Sequence, residues 1–254
     1  MEQVVVYAHA LSKRLVEAAA PGREVIIADT TRQMVEAVVY RRNVISVVVE
    51  LDGALEEDGK LLRSFIRLFP TIVVTVVTDT GGLPFTLPDE AVLVHIAQAE
   101  EEIIASLREA IVPRVQPNRR QFNRFDWPLK AVLGGDPNAE PRHRIRALSA
   151  GGAFLERSGA NPEPGTVESI TIRFGNFSLT TQCEVLHPRR ASSSLPDGFG
   201  ICFVDLTPKA EAVVEKIVND ALVEVLLGEE EEPDIPTLDE EELTFSLEGE
   251  ISLQ

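Results

Sequence analysis

Hydrophobic and polar positions follow two different rhythms along this chain. Up to about residue 111, short Val- and Ile-rich runs (QVVVYAH, EVIIAD, VISVVVE, TIVVTVVTD, AVLVHIA) are set apart by longer stretches whose apolar residues recur every three or four positions. Those stretches are LSKRLVEAAA, TTRQMVEAVVYRR, GKLLRSFIRLFP and AEEEIIASLREAIV. Uniformly apolar short runs joined by amphipathic segments of ten or more residues predict βα units, and hence a parallel sheet buried on both faces. Five such runs predict a flavodoxin-like domain over residues 1–111. Thr30 or Thr31 is placed to cap the second helix, and Gly53 and Gly59 are expected to flank the turn after the third strand. Between the last two strands the segment DTGGLPFTLPDE carries two glycines and two prolines, which predicts irregular chain rather than a helix.

After residue 117 the rhythm changes. WPLKAVLGG, HRIRALSAGGAFLE, TVESITIRFGNFSLTTQCEVLHP and GFGICFVDL read as strands broken at Gly or Pro, and AEAVVEKIVNDALVEVLL reads as one amphipathic helix. Short strands with a turn every eight to twelve residues predict a small antiparallel β-barrel followed by a helix, over residues 117–228. Such a barrel is filled with side chains, so a ligand binds at its surface or rim. The residues from Ile111 to Asn118, with Pro113 and Pro117, form a short stiff linker.

Charge sharpens this picture. The formal net charge is −17, but eleven acids and no base lie in residues 229–254, and the rest of the chain carries −6. Residues 113–146 run the other way, with eight bases against three acids, a local +5. The basic stretch is therefore local, and bulk nucleic-acid binding is excluded, because the remaining surface repels a polyanion. No apolar run reaches the roughly 20 residues of a membrane-spanning helix, and no basic leader precedes an apolar core, so the expectation is a cytoplasmic protein. Cys183 and Cys202 lie in apolar alternating segments and are expected to be buried, reduced thiols. The four scattered histidines lack metal-site spacing, and no nucleophile and base pairing stands out, so neither a metal, a cofactor nor an enzyme is expected.

The first domain resembles a response-regulator receiver in its order of elements. The chemistry of a receiver is missing: the first strand runs into Tyr7, Ala8 and His9 rather than a carboxylate pair, the third ends at Glu50 and Leu51, and the fifth leads into His95, Ile96, Ala97 and Gln98. Only Thr78 matches a receiver position. The resemblance thus implies a pseudo-receiver that is not phosphorylated on aspartate and that serves in protein contacts.

The stretch Asn-Arg-Arg-Gln-Phe-Asn-Arg-Phe at 118–125 places Arg119, Arg120 and Arg124 within six positions. Guanidinium groups match phosphate oxygens and stack on aromatic rings, which suits a nucleotide or phosphate ligand. Arg120-Gln-Phe-Asn-Arg124 fits an RxxxR motif, Ser149-Ala-Gly-Gly152 fits the SxxG half of a (D/N)xSxxG motif, and GFGICFVDLTP at 198–208 looks like a last barrel strand entering a helix. Together these residues resemble the PilZ family, bacterial receptors for cyclic di-GMP, over roughly 117–228. The resemblance implies that Arg120 and Arg124 hold the phosphates and stack on guanine, with Arg119 auxiliary. It implies that Ser149 donates to the ligand and that Gly152 allows a tight turn beside it. Ala147 departs from the motif's Asp or Asn. A charged hydrogen bond contributes about 1.5–3 kcal/mol, so its loss weakens binding by about ten to a hundredfold. Arg142, Arg144 and Arg146, spaced by two, are expected on one strand face near the site.

The expected function is a cyclic di-GMP effector that passes ligand occupancy to a downstream protein partner; the alternative is a degenerate adaptor that binds proteins without nucleotide. A homodimer is compatible with the sequence. The acidic tail, residues 229–254, is expected to lack order on its own. Within it Leu243, Phe245 and Leu247 alternate, as do Ile251 and Leu253, a pattern able to add as a strand to an open sheet edge.

Overall fold

The computed structural model describes residues 1–8, 10–51, 56–79, 83–112, 122–136, 139–157, 162–191, 196–228 and 251–253. Gly53, Gly81, Gly82, the arginines at 119 and 120, and the tail pattern Leu243, Phe245 and Leu247 lie outside them. The described chain forms two compact units, residues 1–112 with 223–228, and residues 122–222 with 251–253.

In the first unit β1 (Gln3–Tyr7), β2 (Glu24–Ala28), β3 (Val44–Glu50), β4 (Val73–Thr78) and β5 (Val92–His95) form a parallel sheet in the order β2-β1-β3-β4-β5. That is the flavodoxin-like order, reached because each strand is followed by a crossover that returns the chain parallel. On one face Val4 and Val6 of β1 and Val48 of β3 pack with Leu15 of α1 (Ala10–Ala19) and with Ile103 and Leu107 of α4 (Glu100–Ala110). Val5 and Val47 alternate to the other face. There α2 (Thr31–Tyr40) buries Met34 and Val38, and α3 (Glu56–Leu68) buries Leu62 and Phe65. Burial on both faces explains why these strands carry no polar alternation, and each buried aliphatic side chain contributes about 1.5–3 kcal/mol.

Thr30 is the cap of α2, its hydroxyl accepting from Gln33 N at 3.1 Å. Gly59 departs from expectation: it lies inside α3. A β-carbon there would stand 2.6 Å from Cγ of Phe85, so the glycine, a poor helix former, is the residue that lets the irregular chain between β4 and β5 lay an aromatic ring on the helix.

In the second unit β6 (Lys130–Leu133), β7 (His143–Ser149), β8 (Gly152–Glu156), β9 (Val167–Arg173), β10 (Phe177–Arg189) and β11 (Gly198–Phe203) close into an antiparallel barrel, the ring completed by the β10–β11 pairing. Ala131, Ile145, Leu155, Ile170, Ile172, Leu179 and Cys183 are fully buried at alternating positions along these strands. Pro188 sits where the β10–β11 register shifts, the position at which a strand tolerates a residue without an N–H. The helix α5 (Pro208–Leu227) follows.

The last strand, β12 (Ile251–Leu253), pairs antiparallel with Phe177–Leu179 of β10. The end of the tail thus adds to the sheet as the alternation of Ile251 and Leu253 predicts. Among the described residues no helix is long and apolar enough to cross a membrane.

Candidate functional site

The site begins with a short extended segment ahead of the barrel. Phe125 and Leu148 exchange both backbone hydrogen bonds, Phe125 N to Leu148 O at 2.9 Å and Leu148 N to Phe125 O at 2.8 Å. The alternation of the segment explains its adhesion. Trp127 and Leu129 are buried, and the Phe125 ring stacks obliquely on the Trp127 ring at 4.4 Å, while Arg124 and Asp126 between them stay at the surface. In the register of the Phe125–Leu148 bridge, Arg124 falls opposite Ser149, and Asp126 opposite Ala147. Further up the segment the Phe122 ring covers Gly151: a β-carbon there would meet its Cδ2 at 2.9 Å. Asn123 donates from Nδ2 to Oδ1 of Asn219 on α5 at 2.9 Å, which ties the segment to the buried face of that helix.

Across from it stands the turn between β7 and β8. Ser149 is buried and its hydroxyl donates to the Gly152 carbonyl at 3.0 Å, so its proton is spent within the turn and its remaining lone pairs are what it offers outward. The Gly151 carbonyl accepts from Phe203 N at 3.1 Å, fastening the turn to the end of β11. Gly152 has φ +151°, and a β-carbon on it would lie 2.1 Å from the Ile201 carbonyl oxygen. The requirement for glycine at 152 therefore comes from the close approach of β11.

Ser149 and Gly152 are joined by a hydrogen bond and Arg124 directly precedes the residue bridged to Leu148, whereas Arg119 and Arg120 lie outside the described residues. Arg142 and Arg144 are exposed on either side of His143, and Arg146 is half-buried where the β7–β8 register shifts, between Ile145 and Ala147. Arg146 is ion-paired with Glu156 of β8, Nε to Oε1 at 2.7 Å. Asp126 lies in this electrostatic group. Partial burial raises its carboxyl above the ordinary value of 3.8, Arg146 and then Arg144 pull it down, and Glu156 raises it again. Among the described residues no group of three or more His, Cys, Asp or Glu side chains is placed to hold a metal ion.

Reasoning from motifs alone passes over Phe122, Asn123, Gly151 and Asp126. The alternation of Phe125, Trp127 and Leu129 is the signal for the segment's strand-like pairing. Nothing in the sequence marks Asn219 as a partner of Asn123, because they are 96 positions apart.

The model of the PilZ domain matches residues 118–220. No curated protein matches the chain. Among solved structures the chain is similar to the Bacillus subtilis inhibitor of motility MotI/DgrA, with 19% identity and a TM-score of 0.36 over 44% of this chain and 53% of that one. It is also similar to Escherichia coli YcgR, solved in complex with c-di-GMP, with 16% identity and a TM-score of 0.33 over 40% of this chain and 45% of that one. A third likeness is to the E. coli constitutive lysine decarboxylase, with 16% identity and a TM-score of 0.33 over 44% of this chain and 17% of that one. The chain thus spans about half the length of the first two structures.

Proposed function

Because this chain carries a PilZ domain over residues 118–220, we propose that it is a bacterial, cytoplasmic effector that binds cyclic di-GMP and acts by binding, without catalysis. The observation that carries the proposal is the register of the Phe125–Leu148 bridge, which sets Arg124 opposite Ser149 at the rim of the barrel. A ligand with two phosphates and two guanines requires forked cationic donors for the phosphates and flat cations against the purines, and an exposed arginine on a fixed strand supplies both. Arg120 and Arg119, just upstream in sequence, are the further candidate phosphate donors. Ser149 holds the turn in shape and accepts from the ligand, and Gly152 keeps β11 close behind it.

Occupancy is then passed to a protein partner, and the pseudo-receiver, without phosphorylation chemistry, serves in protein contacts. The output is a protein partner in motility, pilus, polysaccharide or transcription control. Calorimetric titration of the whole chain with cyclic di-GMP tests this. Saturable binding is expected, lost by at least tenfold in Arg124→Ala and in Arg120→Ala. Arg124→Lys is expected to restore little, since an ammonium lacks the planar fork. Absence of heat at high micromolar ligand would sink the proposal. That outcome would favour the second reading, an adaptor binding proteins without nucleotide, to which Ala147 in place of an acid or amide points.

A further inference from the structure

The missing side chain at Ala147 has a counterpart across the strand. The pair next to a doubly hydrogen-bonded antiparallel pair is the narrow one, with α-carbons about 4.5 Å apart and side chains side by side on one face. Phe125–Leu148 is such a doubly bonded pair, and its register continued by one residue sets Asp126 beside Ala147, before the bond from Ile145 N to Leu129 O at 2.8 Å shifts the pairing by one. The methyl group of Ala147 fills little of the space before it. On the other side of the bridge the Phe122 ring lies over Gly151, which keeps the segment against the turn. Asp126 shares its strand face with Arg124, two residues away, and both are at the surface.

We propose that Asp126 is a ligand-contacting residue of this site, its carboxylate accepting from the N1–H and N2–H donors of a guanine edge that Ala147 has no atom to bind. The inference rests on the cyclic di-GMP reading above and names what makes that site prefer guanine. A carboxylate offers two acceptor oxygens to that paired-donor edge. Adenine presents an acceptor at N1 and a donor at N6, which does not match. Arg146 is ion-paired with Glu156, and together with Arg144 it also acts on the Asp126 carboxyl, so the carboxylate stands at the surface among cations. The raised carboxyl of Asp126 is consistent with such a place.

The test is titration of the full chain with cyclic di-GMP and, separately, cyclic di-AMP, for wild type, Asp126→Ala, Asp126→Asn and the double variant Asp126→Ala with Ala147→Asp. Asp126→Ala is expected to lose about ten to a hundredfold in affinity for cyclic di-GMP and none for cyclic di-AMP. Asp126→Asn keeps one acceptor oxygen and an intermediate preference. The double variant is expected to recover guanine preference from the opposite strand, a rescue that a merely structural role would not give. Thermal unfolding of each variant separates loss of fold from loss of contact. Cyclic di-GMP binding by Asp126→Ala equal to wild type overturns the inference while leaving the reading of the site intact. A wild-type chain that binds no cyclic di-GMP overturns both.

Discussion

A β-carbon on Gly152 would stand 2.1 Å from the carbonyl oxygen of Ile201, so β8 and β11 meet at a distance that no other residue permits. The pairing has the same feature at its far end, where a β-carbon on Gly198 would lie 2.2 Å from the Leu155 carbonyl oxygen. Both close approaches are to backbone, which cannot swing aside as a side chain can. Gly152→Ala is therefore expected to lower the free energy of unfolding by about 2–4 kcal/mol, through strain at its φ and displacement of β11. Urea unfolding of the two chains measures this directly. A change below about 0.5 kcal/mol, the range of an ordinary surface substitution, would show that the strands part without cost.

The two cysteines differ in a way their similar surroundings in sequence do not suggest. Both segments alternate, and both thiols are expected inside. Cys183 is fully buried in the barrel, whereas Cys202 faces outward. Burial foremost, then Glu168 and Cys202, push the Cys183 thiol up to about 12, so it carries almost no thiolate at neutral pH. One thiol per native chain is expected to react with an aromatic disulfide reagent near pH 8, and the second only after unfolding. In Cys202→Ser the native chain is expected not to react. Fast labelling of two thiols in the native protein would contradict the placement of Cys183.

These cases show where the sequence is informative and where it stops. Periodicity reports burial on one face or two, which is why the five apolar runs and the alternating strands after residue 117 announce a parallel sheet and a barrel. It does not report register. Cys202 and Gly152 are partners across β11 and β8, and Phe125 and Leu148 are bridged across 23 positions of sequence, neither of which the pattern announces. Nor does it report the shift between Ile145 and Ala147 in the β7–β8 pairing. Gly59 reads as a turn residue on local preference, yet a tertiary contact with Phe85 holds it in a helix. Motif spacing names Arg124, Ser149 and Gly152 as candidates, whereas the contacts of Phe122 with Gly151 and of Asn123 with Asn219 belong to no motif.

Asp126 links stability to the proposed contact through pH. Its folded carboxyl lies above its ordinary value of 3.8, with desolvation the first cause, so between 3.8 and its folded value the native chain binds more protons at this site than the unfolded chain. Stability from this group is then fully present below 3.8 and is lost as pH rises through the folded value. At neutral pH the ionised, partly desolvated carboxylate is a cost to the fold. Asp126→Asn is expected to be at least as stable as wild type at pH 7, with the advantage disappearing as the pH falls toward 3.8. Binding should move oppositely. If the ionised carboxylate accepts from guanine, wild-type affinity for cyclic di-GMP falls as the group is protonated, and the affinity of Asp126→Asn changes less over the same interval. Unfolding midpoints and titrations across that interval read both. A residue that weakens the fold at the pH where it strengthens binding is expected of a site selected for its ligand. Parallel pH profiles for the two chains, in stability and in affinity, would show instead that Asp126 is a surface carboxylate without a part in the site.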